Sequence, residues 1–160
     1  MGEYYGIECP NCSFKFKAAY GSGFLFSKIY ENTLAEMKKG AFGERAKIFF
    51  QENPNGAIDC EKTLLQCRHC GTLENRKSLD MYIPKTDYKQ AEDSTYETRR
   101  YLKQNYILKH SFYHRCCKCG KRMRKINEQN LMKIIDKGDL KCPVCKSSLK
   151  INFGDCWTWD

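Results

Sequence analysis

The sequence predicts an α+β fold made of two small units of short antiparallel strands, with helices inserted between the strands. Three observations predict it. Four pairs of cysteines occur, each with two residues between its members: Cys9/Cys12, Cys67/Cys70, Cys116/Cys119 and Cys142/Cys145. Alternating apolar and polar residues flank these pairs, as in half-buried strands. Between the pairs, apolar residues recur three and four positions apart, as on the buried face of a helix.

The first unit is predicted over residues 1–84. Residues 13–17 alternate apolar and basic side chains, which predicts a strand leaving the first cysteine pair. A helix is predicted over 27–39, with Ser27 as its N-cap and Gly40 at its end. A second helix is predicted over 42–51. Together they form a two-helix insert within the first unit.

The turn sequence of residues 53–56, Asn-Pro-Asn-Gly, ends the second helix, because proline cannot continue a helix and Asn-Gly favours a turn. Strands over 57–60 and 63–66 then lead into the second cysteine pair. The alternation over 79–83 predicts another half-buried strand. Residues 85–98 are almost entirely polar, which predicts a linker between the two units.

The second unit is predicted over residues 99–160. A strand over 106–114 enters the third cysteine pair, and a strand over 121–126 leaves it. Asn127 is predicted to cap one short helix that ends at Gly138, and further strands flank the fourth pair. The two halves of the chain therefore share a plan of hairpin, helical insert and hairpin, which indicates a weak internal repeat.

The cysteine spacing predicts metal binding. A tight turn brings both sulfurs of a pair to one side, and two pairs complete one tetrahedral thiolate site, so the chain carries ligands for two ions, predicted to be Zn²⁺. Neighbours in sequence usually neighbour in space. The favoured pairing is therefore Cys9 and Cys12 with Cys67 and Cys70, and Cys116 and Cys119 with Cys142 and Cys145. A crossed pairing between the halves is the alternative, and iron is the alternative metal.

Three further cysteines have no such partner. Cys117 lies inside the third pair, where the two-residue spacing favours Cys116 as the ligand; Cys60 and Cys156 are predicted to be small packing residues. The total of eleven is odd, and no apolar signal segment follows Met1, which argues against a secreted disulfide scaffold and favours the cytoplasm. No apolar stretch approaches the roughly 18 residues that span a bilayer, so no membrane partner is expected.

The formal net charge of +9 is concentrated in the second half of the chain. Residues 99–160 contain 15 Lys and Arg against 5 Asp and Glu, whereas residues 1–98 contain 13 against 14. Such density suits phosphate contacts, with tyrosines and tryptophans available for base stacking. The predicted nucleic-acid-binding residues are Arg115, Lys118, Lys121, Arg122, Arg124 and Lys125. The predicted stacking residues are Tyr101, Tyr106, Tyr113, Trp157 and Trp159.

No catalytic residue is predicted. A shell of four thiolates leaves no open position for water or substrate, which makes each metal site structural rather than catalytic. The three histidines, His69, His110 and His114, are expected to serve a turn or to pack on a strand. No nucleophile, base and orienting carboxylate occur together in a recognisable motif, so the protein is not expected to be an enzyme.

Three of the cysteine turns resemble those of zinc-ribbon and rubredoxin-like proteins: Cys67-Arg68-His69-Cys70-Gly71, Cys116-Cys117-Lys118-Cys119-Gly120 and Cys142-Pro143-Val144-Cys145. The resemblance is confined to the four cysteine pairs and their flanking strands. Zinc ribbons carry structural metal and often serve transcription, translation or nucleic-acid processing. Rubredoxins hold iron and carry one electron.

The sequence therefore predicts a non-enzymatic zinc-binding protein with two structural four-cysteine sites, which binds nucleic acid through its basic C-terminal unit. One alternative is a protein adaptor, in which the helices within 27–51 bind a protein partner. Another is a rubredoxin-like electron carrier. Salt-dependent binding of generic DNA or RNA distinguishes the first from the second, and thiolate-to-iron absorption identifies the third.

Overall fold

The computed structural model describes residues 2–86 and 97–159, apart from the side chain of Trp159. Most of the predicted linker, residues 87–96, lies outside the described residues. The described residues form the following elements in chain order: β1 (Gly2–Glu8), β2 (Lys15–Gly21), α1 (Phe26–Lys39), α2 (Glu44–Glu52), β3 (Ala57–Ile58), β4 (Lys62–Cys67), β5 (Leu73–Lys77), β6 (Met81–Pro84), α3 (Arg99–Asn105), β7 (Tyr106–His110), β8 (Met123–Ile126), α4 (Glu128–Asp136) and β9 (Lys150–Trp159). The predicted α+β class is confirmed.

The chain divides into two units, but not at the predicted boundaries. Unit 1 comprises Met1–Gly23, Lys62–Lys77 and Tyr113–Asp160, and unit 2 comprises Phe24–Glu61 and Ser78–Phe112. The predicted division was 1–84, a linker over 85–98 and 99–160, whereas each unit of the structure combines separate stretches of the chain. The reason is strand pairing: β6 and β7 flank the predicted linker, yet they pair with each other antiparallel and belong to the same unit.

Unit 1 contains a six-stranded antiparallel sheet in the order β5-β4-β2-β1-β9, with β8 also paired to β4. One half consists of β2, β1 and β9, where β1 pairs along its length with both neighbours. The other half consists of β5, β4 and β8. A single residue pair, Gly21 with Lys62, joins the halves through β2 and β4. This arrangement places two pairs of hairpin tips in one unit.

Helix α4 contributes to the core of unit 1. Asn127 takes the predicted N-cap position in extended conformation, but its side chain makes no capping hydrogen bond within the described residues; Leu131 and Ile135 are buried. They pack in a cluster with Ile7, Tyr20 and other sheet residues. The Tyr20 hydroxyl is satisfied inside this cluster by donating to the backbone carbonyl of Ile126 at 3.0 Å. A buried hydroxyl that lacked such a partner would destabilise the core.

Unit 2 combines two amphipathic helices with a three-stranded sheet in the order β3-β6-β7. Its apolar cluster includes Met37, Phe49, Phe50 and Ile58, all buried. Gly40 ends α1 in the left-handed conformation (φ 92°) that glycine adopts without strain. That end was predicted correctly.

Several predicted boundaries in unit 2 differ from the structure. Helix α1 begins one residue early, with Leu25 rather than Ser27 at the N-cap, and α2 begins at Glu44 rather than residue 42. The strand predicted over 106–114 ends at His110. Helix α3 was not predicted, because in a seven-residue helix a single buried side chain, Leu102, gives no periodic pattern.

A buried ion pair holds α3 to the chain that precedes β4. Arg99 Nε donates to Asp59 Oδ2 at 2.6 Å and Nη2 donates to Oδ1 at 3.2 Å. The backbone N–H of Arg99 also donates to Glu61 Oε1 at 3.0 Å. Asp59 is 3% exposed, so its charge depends on this two-point contact rather than on water. Among the described residues, no helix is both long and apolar enough to cross a membrane.

Candidate metal centres

Four hairpin tips, here called knuckles 1 to 4, carry the cysteine pairs Cys9/Cys12, Cys67/Cys70, Cys116/Cys119 and Cys142/Cys145 in that order. Knuckles 2, 3 and 4 repeat the same backbone bonds. In knuckle 2, the N–H of Cys67 donates to the carbonyl of Thr72 at 2.9 Å, and the N–H of Gly71 donates to the carbonyl of Cys67 at 2.8 Å. The corresponding bonds begin at Cys116 and at Cys142. This turn aims both thiols of a pair to one side.

The residue that follows the second cysteine of each of these knuckles has a positive φ. It is Gly71 (83°) in knuckle 2 and Gly120 (68°) in knuckle 3, where glycine meets the requirement without strain. In knuckle 4 it is Lys146 (64°). A side chain in the left-handed region costs about 1 kcal/mol or more, so the lysine persists there against its backbone preference.

The knuckles pair in a nested order, 1 with 4 and 2 with 3. The first cluster, here called site A, contains Cys9, Cys12, Cys142 and Cys145; the second, site B, contains Cys67, Cys70, Cys116 and Cys119. The favoured sequence pairing is therefore wrong, and the crossed alternative is the one observed. The physical reason is the sheet: β1 pairs with β9, and β4 pairs with β8, so each cluster forms at the ends of paired strands.

The geometry of both clusters fits a metal ion. In each cluster all four sulfurs lie within 4.8 Å of one another. Between facing knuckles, Sγ–Sγ distances are 3.4 Å for Cys9–Cys145 and Cys67–Cys119, 3.5 Å for Cys70–Cys116 and 3.6 Å for Cys12–Cys142. Tetrahedral thiolates around zinc lie about 3.8 Å apart, whereas a disulfide needs about 2.05 Å. All eleven cysteines are free thiols.

Hydroxyl groups stabilise the thiolate of the last cysteine in knuckles 2 and 4. Thr72 and its backbone N–H lower the pKa of Cys70 to about 6, and the Cys70 Sγ–Thr72 Oγ1 distance is 3.1 Å. Ser147 and its backbone N–H likewise lower the pKa of Cys145 to about 6. These two hydroxyl residues were not predicted. The signal available in the sequence was a Thr or Ser two positions after the second cysteine.

The other hairpin of each site contributes a thiol whose pKa is raised rather than lowered. The backbone N–H of Phe14 lowers the pKa of Cys12, but burial and the facing thiols together raise it to about 12. The N–H of Lys121 lowers that of Cys119, but burial and its facing thiols raise it to about 12. Without a cation, the crowded sulfurs therefore resist ionising together. A divalent metal removes this repulsion, which is what a four-thiolate site requires.

Knuckles 2 and 4 touch each other within unit 1. A Cβ placed on Gly71 would lie 3.2 Å from Pro143 Cα, so glycine permits the close approach of the two turns. The Lys146 ammonium bridges them, donating to the carbonyl of Cys70 at 3.0 Å and to that of Pro143 at 3.1 Å. Sites A and B are therefore adjacent, and the Lys146 ammonium lies across the contact between their knuckles.

The residues predicted to bind nucleic acid flank knuckle 3, where four of them are exposed: Arg115, Lys118, Lys121 and Arg122. The Arg122 guanidinium stacks on the ring of Tyr113, 3.2 Å from its centroid. Arg124 and Lys125 lie on β8 and are half-buried. The six residues therefore differ in exposure, and whether they bind nucleic acid stays a prediction.

Other predicted side chains are dispersed. Cys117 is exposed and lies outside both clusters, as the spacing predicted, and Cys60 is buried in unit 2. Of the candidates for base stacking, Tyr106 is buried, whereas Tyr113 and Trp157 are 48% and 59% exposed. Lys17 Nζ lies 4.8 Å from the centre of a Trp157 ring. Unit 1 thus presents two aromatic surfaces, each beside a cation.

Two four-cysteine clusters at the tips of paired hairpins fit zinc-ribbon-like knuckles. Comparison with known proteins finds no matching family model, no similar curated protein and no similar solved structure.

Proposed function

We propose that the protein is a non-enzymatic zinc-binding protein whose two four-cysteine sites are structural, and that it binds nucleic acid through the basic surface of unit 1. The distribution of charge supports the proposal. Unit 1 contains 17 Lys and Arg against 8 Asp and Glu, a net charge of +9, whereas unit 2 contains 11 of each. The excess positive charge, which the sequence alone assigned to residues 99–160, therefore belongs to unit 1.

The charge of unit 1 exceeds what its metal sites neutralise. Four thiolates around Zn²⁺ sum to −2, so two such sites would reduce the net charge of unit 1 from +9 to +5. The remaining excess favours a polyanionic partner. Arg122 stacked on Tyr113 adds a flat cationic surface of the kind on which an unpaired base can stack.

Zinc is proposed because all eight candidate donors are cysteine sulfurs in two sets of four, and four thiolates around Zn²⁺ would form a closed tetrahedral shell with no open coordination position for catalysis. Iron is the competing metal and would indicate a rubredoxin-like electron carrier. Elemental analysis of the purified protein is expected to give two zinc ions per chain. Strong visible thiolate-to-iron absorption from a chain that holds iron instead would contradict the zinc assignment. The reduced thiols also lead us to propose a cytoplasmic location.

The nucleic-acid proposal is tested by fluorescence anisotropy with a short labelled oligothymidylate at increasing salt. Binding is expected to weaken steeply, with a slope of about −0.7 in log K against log salt for each phosphate contact. The quadruple variant Arg115→Gln, Lys118→Gln, Lys121→Gln, Arg122→Gln should lower both affinity and slope. The matched control removes four exposed charges from unit 2: Lys28→Gln, Lys39→Gln, Lys103→Gln and Lys109→Gln. Equal losses in the two variants would contradict a unit 1 interface.

The adaptor alternative has its own support in unit 2. Phe24 and Leu25 are 89% and 63% exposed at the start of α1, where large apolar side chains contribute nothing to the core. A protein that covered them would bind with little salt dependence. Two results together would favour the adaptor. Oligothymidylate binding would be too weak to measure even at low salt, and the protein would capture a protein partner independently of salt, with Phe24→Ser abolishing that capture.

A further inference from the structure

A groove of about 490 Å³ opens on unit 1 where knuckles 2 and 4 meet. Sheet residues and both knuckles line it, and the polar lining includes Gln66, Arg68, Arg124, Asp139, Lys141 and Lys146. Four of these side chains are cationic and one is acidic. The groove is therefore a concentration of positive charge at the contact between the two candidate metal sites.

Arg124 is fixed in this groove by polar contacts. Its Nε donates to Gln66 Oε1 at 3.0 Å, and its Nη2 donates to the same oxygen and to the backbone carbonyl of Asp139 at 3.0 Å. Nη1 makes no hydrogen bond within the described residues. A guanidinium held on one edge keeps the other edge positioned for an incoming acceptor, and its orientation is fixed before binding.

Arg68 is close enough to Arg124 for their charges to repel. Burial lowers the pKa of Arg124, and the charge of Arg68 lowers it further. Arg68 is exposed, and in the part of the chain that the structure describes it has neither a hydrogen bond nor an ion pair. Asp139 also lines the groove and its charge raises the pKa of Arg124, but four cations against one carboxylate leave a site that an anion would stabilise.

The lysines and the arginines of the groove differ in what already contacts them. Lys146 donates to two knuckle carbonyls, and Lys141 Nζ donates to Ser148 Oγ at 2.9 Å. These contacts suit cations that offset the thiolate charge of the metal sites. Counter-charge alone does not account for the fixed guanidinium of Arg124. Nor does it account for Arg68, which is exposed and makes no hydrogen bond or ion pair with the residues that the structure describes. The two arginines therefore carry the N–H groups of the groove that remain available to hydrogen-bond an anion.

We propose that this groove binds a phosphate of the nucleic-acid backbone through Arg68 and Arg124. The proposal rests on the proposed function and names the site within unit 1. Arginine suits the role because the Nη1 hydrogens of Arg124, left over from its contacts with Gln66 and Asp139, and the planar fork of Arg68 can donate to phosphate oxygens. Knuckle 2 supplies Arg68 and knuckle 4 supplies Lys141 and Lys146, so the groove needs both metal-site hairpins in place.

The test compares Arg68→Gln/Arg124→Gln with a matched control, Lys133→Gln/Lys137→Gln, which removes two exposed charges elsewhere in unit 1. Oligothymidylate affinity is measured by anisotropy over a range of salt. The arginine variant is expected to bind about tenfold more weakly than the control, with a salt slope shallower by about 0.7 for one lost phosphate contact. Zinc content checks that both variants keep their metal sites.

Arg68→Gln alone guards against misfolding of the double variant, because Arg68 is exposed and makes no contact that the fold needs. It should give an intermediate loss. Equal binding by the arginine variant and the lysine control would overturn the groove and leave the proposed function standing. Failure of the wild-type protein to bind at all would overturn the proposed function. A second test titrates inorganic phosphate and follows the NMR shift of the Arg124 Nε–H. If phosphate saturates this shift while oligothymidylate stays bound elsewhere on the protein, the groove is not a site for a backbone phosphate and the proposal is overturned.

Discussion

Unit 1 and unit 2 are similar in size and each has a buried apolar cluster, but they differ in net charge and in candidate metal ligands. Unit 2 has 73 residues, no net charge and a cluster of buried aromatic and aliphatic side chains. Unit 1 has 87 residues, a net charge of +9 and two sets of four thiols. A bound structural zinc contributes roughly 10–16 kcal/mol, enough to offset the repulsion within a strongly basic surface. The comparison indicates that two sites able to hold metal would let a small unit carry a charge excess that an apolar core alone would tolerate less well.

The largest effect that tests this comparison is metal removal. A strong chelator should unfold unit 1 and leave unit 2 folded, because the candidate ligands all lie in unit 1. Amide hydrogen exchange measured by NMR should show loss of protection in β1 and β4 and retained protection in α1 and β6. Simultaneous loss of protection in both units would break the comparison. So would a unit 1 that stays protected without metal.

Paired cysteine variants sharpen the location and the pairing of the two sites. Cys9→Ser/Cys145→Ser removes ligands from site A alone and should leave one zinc per chain. Cys9→Ser/Cys67→Ser affects both sites and should leave none, because three thiolates hold zinc far less tightly than four. Elemental analysis distinguishes the two outcomes. Pairing of sequence neighbours would produce the reverse result.

Among the polar contacts of unit 2, the ion pair of Arg99 and Asp59 is the one whose loss should lower the free energy of unfolding most. Arg99→Met leaves the Asp59 carboxylate buried without its partner, at a cost of about 3 kcal/mol. Chemical denaturation should show this loss in the unit 2 transition, with zinc content unchanged. Arg100→Met, an exposed neighbour in α3, is the matched control and should change stability little.

The smallest effect concerns Glu61 in unit 2. Burial raises its pKa above the ordinary carboxyl value, although the N–H and charge of Arg99 oppose this. A carboxyl whose pKa is raised by folding favours the folded state below its unfolded pKa and loses that contribution as pH rises through the folded pKa. Glu61→Gln keeps the oxygen that accepts the Arg99 N–H and should raise Tm slightly at neutral pH. Thermal melts should show the gain vanish in acid; a gain that persists there would have another cause.

The sequence predicted the local structure of the cysteine turns well, because their requirements are local. Gly71 and Gly120 mark the positive φ after the second cysteine, and Gly40 marks the end of α1. The knuckle pairing was beyond reach, because it depends on β1 meeting β9 across most of the chain and no periodicity encodes that contact. The groove was missed for the same reason: Arg68, Arg124 and Lys141 lie far apart in sequence.

The nested pairing imposes an order on assembly as the chain leaves the ribosome. Site B can close once Cys119 has emerged, and its loop between Cys70 and Cys116 spans 45 residues. Site A must wait for Cys145, and its loop between Cys12 and Cys142 spans 129 residues, which costs about 0.9 kcal/mol more in closure entropy. Cys9 and Cys12 are made before the site B thiols but would receive metal after them, and this delay would expose them to oxidants and to competing metals.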